Sequence, residues 1–303
     1  MRIGAGFPTL DLGGDPAVIR HWAESVEALG FDHILAYEHI VGFNGQNHVS
    51  AFGPLDAHSC FDEPLVLLGF LAAVTRRVGL ATGVLVLPQR QTALVAKQAA
   101  QVDALSGGRL RLGIGVGWVP EEFALLRENY RDRGRRAEEQ IAVLRALWTE
   151  QPAAFQGRWH QFEQAGISPL PVQRPIPIWI GSHSEAGLRR LGRWADGWLP
   201  VARSAEGVER LKGLWQTIRE AAEAAGRDPA AIGIDGQVVF NWVPEHGWRE
   251  YASAWQSFGA THLTVTTMGL AATSVDDHLA ALAYVRDELI TAGVVEPATG
   301  KQS

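Results

Sequence analysis

The chain has 303 residues, 47% hydrophobic and 20% charged, a balance that excludes a disordered, collagen-like or disulfide-framework protein and suits one large globular core. Its 27 Lys and Arg are outnumbered by 33 Asp and Glu, for a net charge of −6, so no basic footprint for nucleic acid or an anionic membrane is expected. The single cysteine, Cys60, permits neither an internal disulfide nor a Cys-based zinc site, which fits a reducing cytoplasm.

The N-terminus, MRIGAGFPTL, lacks the apolar stretch of a signal peptide, and no apolar run reaches membrane-spanning length. Short apolar, β-branched runs then alternate with segments of 3.6-residue period, the pattern of βα units around a parallel sheet. The first unit predicts a strand over Arg2–Phe7 and a helix over Pro16–Leu29, opened by Asp15 as N-cap with Pro16 at the first helical position and closed by Gly30. A second strand, His33–Tyr37, is followed by a long stretch, Glu38–Glu63, before the helix Pro64–Thr75. Loops of that length are usually functional or disordered. The third unit is Val78–Leu85 with Thr92–Leu105, and the fourth is Arg109–Val116 with helices near Glu121–Glu128 and over Arg133–Thr149.

Periodicity then stops. Residues 152–176, rich in proline with interspersed aromatics, read as an inserted hairpin or irregular excursion that does not start a new domain. Four further strands are expected at Ile178–Gly181, Gly197–Pro200, Ile232–Trp242 and His262–Thr267. Their helices are Ser184–Arg193, Ala205–Ala225, Trp248–Phe258 and Val275–Thr291. Eight units without a break in composition predict one α/β domain over residues 1–303, a (β/α)8 TIM barrel with an insertion between the fourth and fifth units. Chemistry in such a barrel belongs on the loops that follow the strands.

On those loops, His39 is the proton-transfer candidate, because an imidazole exchanges protons near neutral pH. The competing reading is a histidine that hydrogen-bonds loop backbone. Glu38 would orient the imidazole or cap the strand end. His48 and His58 share the loop, but their spacing from His39 matches no metal-ligand pattern, and no metal is expected. The glycines of Gly113-Ile114-Gly115-Val116-Gly117-Trp118 lack the spacing of a dinucleotide fingerprint, and Gly115 and Gly117 read as clearing room at the barrel mouth. Gly83 stands where the third strand should end, a candidate bulge. Gly181-Ser182-His183-Ser184 opens a helix and would suit a phosphate, or else supplies a plain N-cap. Arg90 would pair with a second anion or be solvated.

The segments ALGFDHILAYEHI, LATGVLVLPQRQTALVAKQAAQVDALSGGRLRLGIGVGW, RGRRAEEQIAVLRALW and PIPIWIGSHSEAGLRRLGRWADGWLP, in this order, resemble the bacterial luciferase-like family, in particular its branch that uses coenzyme F420. The likeness covers about residues 1–290 and implies a (β/α)8 barrel with the deazaflavin across its mouth. It implies that Gly83-Val84 forms a non-proline cis peptide backing the ring. It also implies that Glu38-His39 is an acid–histidine pair near the reactive carbon. Gly115, Gly117 and Trp118 would line the cofactor or substrate space, and Gly181-Ser182 would hold the cofactor phosphate beside Asp196-Gly197-Trp198. Relatives acting on sugar phosphates carry a glutamate in the loop after the fourth strand and lysines on late strands. Here Val119-Pro120 precedes Glu121, and Lys212 falls within a helix, so a sugar phosphate is not expected.

The function so implied is hydride transfer between F420 and a small, apolar or aromatic substrate, by an enzyme that forms a homodimer in the cytoplasm. Phe7, Phe43, Phe52, Trp118 and Trp242 are the expected aromatic walls. The alternatives are an FMN-dependent luciferase-like monooxygenase and a catalytically idle barrel that binds a cofactor or a partner.

Overall fold

Each predicted βα unit forms, and the strands close on themselves. A computed structural model describes residues 1–44, 49–50, 53–54, 56–270 and 274–295. The barrel strands are β1 (Arg2–Gly6), β2 (His33–Ala36), β3 (Gly79–Thr82), β4 (Leu110–Gly115), β5 (Ile178–Ile180), β6 (Gly197–Trp198), β7 (Gly233–Val239) and β8 (His262–Thr266). They run parallel in chain order. β1 pairs with β8 to shut the cylinder, through matches such as Ala5 with Val265.

A helix follows each strand: α1 (Pro16–Ala28), α2 (Pro64–Val74), α3 (Thr92–Ser106), α4 (Arg133–Thr149), α5 (Glu185–Trp194), α6 (Ala205–Ala224), α7 (Trp248–Phe258) and α8 (Val275–Thr291). Asp15 caps α1 by accepting from Ala17 N–H at 2.8 Å, with Pro16 at the first helical position, where its missing N–H costs nothing. Residues after β4 first form a short helix, Pro120–Leu125. The insertion contains an antiparallel hairpin, Ala153–Gln156 with Gln161–Ala165.

The main core lies between strands and helices, where Trp22, Trp148, Trp198, Trp248 and Trp255 are fully buried. A smaller cluster of Leu35, Tyr37, Ala81, Trp179, Leu199 and Met268 fills the lumen. Toward the amino end of the strands, the lumen is crossed by a polar layer. Asp235, fully buried, accepts from Arg111 Nη2 at 2.5 Å and from Thr264 Oγ1 at 2.8 Å, while His33 Nε2 lies 3.1 Å from its carboxylate. Burial alone would raise the Asp235 carboxyl, but Arg111 and His33 hold it far below the usual carboxylate range. Arg111 also stacks over Trp179, 4.3 Å from the ring centre.

The third strand departs from the single run that its sequence suggests. Ala81 pairs with Arg111 and Leu85 with Ile114, so four residues advance on one side against three on the other. The extra residue throws Gly83 and Val84 into a bulge, and pairing resumes at Leu85–Val86.

Candidate active site

That bulge forms the base of a cleft at the carboxyl end of the strands. The Gly83–Val84 peptide is cis, as the family resemblance implies. A Cβ on Gly115 would come within 2.5 Å of Val84 Cγ2, and one on Gly181 within 2.9 Å of Val84 Cγ1. The two glycines therefore seat the Val84 side chain, which is a different role from the open space expected of Gly115. Gly117, at φ +71°, faces Val86 and Phe123 in the same way.

Two chambers share this base. One, about 520 Å³, is bounded by His39, Phe61, Val84, Gly115, Trp118 and Ser182, among others. The other, about 270 Å³, has walls from Leu199, Val201, Val239 and Trp242, with Gln237 as a polar contact. Tyr37, Gly83, Val84, Gly181, Ser182 and His183 border both. Among the expected aromatic walls, Trp118 and Trp242 take their places. Phe7 does not: it is fully buried against Trp22, with ring centres 5.1 Å apart. Phe43 does not border either chamber, and Phe52 lies outside the described residues. Phe61 and Tyr37, not singled out from sequence, border the cleft instead.

His39 sits in the wall of the larger chamber, edge-on to Phe61 at 5.0 Å and to Trp118 at 6.0 Å between ring centres. The carboxylate that meets it is not Glu38. Glu122, 83 residues away on the short Pro120–Leu125 helix, places Oε1 3.3 Å from His39 Nδ1. Glu38 is turned away into a buried cluster, where its carboxylate accepts from the Val86 N–H and from Arg90, with Nε at 2.8 Å. Burial pushes the Glu38 carboxyl up from its ordinary value, against the opposing pull of Arg90 and the Val86 N–H. Expected as a partner of the imidazole, Glu38 instead ties the segment after the bulge to the end of β2.

Arg90 is likewise committed. It pairs with Glu63 at 2.7 Å as well as with Glu38, so neither a free anion nor solvent holds it. Its loop is fastened from behind by Gln140, whose Nε2 donates to Leu87 O at 3.2 Å and Arg90 O at 3.1 Å.

At the mouth of β5, Ser184 rather than Ser182 caps α5, accepting from Gly187 N–H at 3.3 Å. Ser182 Oγ accepts from Ser184 N–H at 3.2 Å, and Ser182 O accepts from Trp198 Nε1 at 2.9 Å. The loop is thus fastened at both serines and borders both chambers, next to the first-turn N–H groups that a helix leaves without internal partners. Asp196 stands apart from it, at the start of β6, where it accepts from Ile178 N–H at 2.8 Å. His58 is exposed, its N–H bound to Asp56 at 2.9 Å, and His48 lies outside the described residues. Among the described residues, no three His, Cys, Asp or Glu side chains converge to hold a metal ion.

An α/β barrel with an apolar-walled cleft at its carboxyl mouth and an imidazole in that wall has the layout of a barrel enzyme, whose chemistry sits at that end. The model of the luciferase-like monooxygenases matches residues 4–298, and the chain belongs to this family. Two proteins of Mycobacterium tuberculosis with uncharacterized functions are similar to it. One is 38% identical over 180 residues, 59% of this chain and 62% of its own length; the other is 31% identical over 297 residues, 94% and 96%. The chain thus spans less than two thirds of the first of these relatives.

A named relative, the FMNH(2)-dependent dimethylsulfone monooxygenase of Pseudomonas putida, is 30% identical over 224 residues, 73% of this chain and 57% of that one. Among solved structures, an F420-dependent secondary alcohol dehydrogenase with an F420–acetone adduct superposes with a TM-score of 0.75 at 16% identity, over 95% of this chain and 98% of that one. That likeness is one of fold. No helix among the described residues is long and apolar enough to cross a membrane.

Proposed function

We propose that the protein is an F420-dependent oxidoreductase that moves a hydride between the deazaflavin and a small apolar or aromatic substrate, as an alcohol or an electron-poor C=O, C=N or C=C group. The observation that carries this reading is the placement of His39 in the wall of a cleft whose base is the Gly83–Val84 bulge. Bound F420 would accept or donate the hydride at its ring, so the protein's task is positioning and management of the accompanying proton.

The cleft suits a flat ring system. Val84, seated between Gly115 and Gly181, gives it an apolar base, while Trp118 and Phe61 supply flat walls near His39. Gly181-Ser182 and the first turn of α5 would take the cofactor phosphate. The chamber bounded by Leu199, Val201, Val239 and Trp242 would take the apolar part of the substrate, and Gln237 would meet its polar group. His39 would take up or release the proton that leaves or joins the substrate as the hydride moves.

A second reading, FMN with oxygen chemistry, is favoured by the named sequence relative that uses FMNH2. Titration of the purified protein with F420 and with FMN, each followed by cofactor fluorescence, separates the two. Micromolar or tighter binding of F420 alone supports hydride transfer, and His39→Ala should then lower kcat/KM for a reducible substrate by about 10² to 10³-fold. Preferential binding of FMN overturns the F420 reading, and binding of neither overturns it in favour of a catalytically idle barrel.

A further inference from the structure

Glu122 is almost wholly buried, its side chain 2% exposed, yet it carries a carboxylate with four donors around it. Oε1 lies 3.3 Å from His39 Nδ1, 3.1 Å from Ile40 N and 3.5 Å from Val41 N, while Oε2 accepts from Gln89 Nε2 at 3.1 Å. A buried charge is tolerated only when paired in this way. Burial alone would raise the carboxyl, but the bonds from His39, Gln89 and the Val41 N–H hold it below its ordinary value.

An ionised carboxylate only accepts hydrogen bonds, so the proton between the two groups must sit on His39 Nδ1. In the neutral ring this leaves Nε2 as a bare lone pair. We propose that Glu122 is the positioning residue of this enzyme, fixing His39 in the Nδ1–H tautomer so that proton transfer occurs at Nε2.

Glu122 also ties the start of the loop that carries His39 to the helix after β4, so one side chain sets both the ring's tautomer and its location. In alcohol oxidation Nε2 would form its N–H bond as the substrate O–H bond breaks, while a bound oxidised deazaflavin would supply the acceptor for the C–H hydrogen and its electron pair as hydride. The resulting imidazolium keeps its Nδ1–H against the Glu122 carboxylate. In the reductive direction the same Nε2–H is returned to the substrate. The transfer step rests on the hydride reading above; the tautomer assignment does not.

The test uses protein labelled with 15N-histidine, without cofactor, with the His39 resonances identified by their loss in His39→Asn. Long-range 15N–1H correlations distinguish the two neutral tautomers. The expected pattern is Nδ1–H in the native protein and a shift to mostly Nε2–H in Glu122→Ala. Glu122→Gln keeps an acceptor for Nδ1, and its amide can turn toward Gln89 Oε1, a buried oxygen that lacks a partner. This variant should fold, keep the Nδ1–H pattern and KM, and lose about tenfold in kcat; the alanine variant should lose about a hundredfold.

An Nε2–H pattern in the native protein, or an unchanged pattern in Glu122→Ala, overturns the assignment whether or not F420 binds. Should the alanine variant not fold, an Nε2–H pattern in Glu122→Gln, which keeps the Nδ1 acceptor, overturns it. A native Nδ1–H pattern in a protein that does not bind F420 overturns the hydride reading and leaves the Glu122 assignment supported.

Discussion

Replacing Glu38 tests whether this residue is structural, as its contacts indicate, or a proton-transfer group, as its position beside His39 suggests. Glu38→Ala removes the acceptor of the Val86 N–H and one of the two carboxylates on Arg90. A buried N–H without a partner costs about 1–3 kcal/mol, and breaking a buried ion pair costs about 3–5 kcal/mol. Because Arg90 retains Glu63 at 2.7 Å, part of its charge stays compensated. The expected loss is therefore near the lower end, about 3 kcal/mol. Glu38→Gln retains an acceptor for Val86 and should cost about half as much, since only the charge is lost.

Urea unfolding followed by tryptophan fluorescence gives these values. A double-mutant cycle with Arg90→Ala should return a coupling energy of about 2 kcal/mol. A loss below about 1 kcal/mol in Glu38→Ala would refute the structural assignment. So would abolished turnover with full stability, which would return Glu38 to the chemistry.

Gly115→Ala places a methyl 2.5 Å from Val84 Cγ2, a short branched side chain with little freedom to move, so a loss of about 1–3 kcal/mol is expected in thermal melts. Adding Val84→Ala should recover most of it, and an unchanged melting temperature in the single variant would contradict the packing described here. His262, pushed down to about 3 by burial, binds a proton in the unfolded chain between pH 6.5 and 3 but not in the folded one. Stability should accordingly fall as the pH is lowered through that window, with roughly 3 kcal/mol lost to this residue by pH 4. His262→Gln should flatten this part of the stability–pH curve, and an identical curve would show that His262 is not the group responsible. Asp235→Asn should cost about 3–5 kcal/mol in urea unfolding, because Arg111 and His33 would lose their shared counter-charge.

Local pattern carried the fold well, because period and caps are short-range properties. Pro16, Asp15 and Gly30 frame α1, and the predicted bounds of α4, α7 and α8 match the structure. The misreading of β3 as one run has a simple cause: Gly83 and Val84 look like strand residues, and only the register against β4 reveals the extra residue. The site was less legible, because its pairings are long-range. His39 meets a carboxylate 83 residues away, and Glu38 meets an arginine 52 residues away. Sequence adjacency suggested Glu38-His39 as a pair, but neighbouring residues at a strand end point to different sides. Glu122 left one faint signal: an acidic residue beside Phe123 in a helix too short to have a clear solvent face.

The polar layer of Asp235, Arg111, His33 and Thr264 lies at the end of the barrel opposite the cleft. Barrel enzymes generally divide stability and chemistry between these two ends. Here the division is sharp enough to guide redesign. The loops after β6 and β7, which carry Val201 and Trp242 into the cleft, contribute no side chain to the hydrogen bonds of the lower layer, so substitutions there can admit new substrates and leave that layer in place. A library confined to those loops should therefore yield a high share of folded members, whose failures report on recognition rather than on folding.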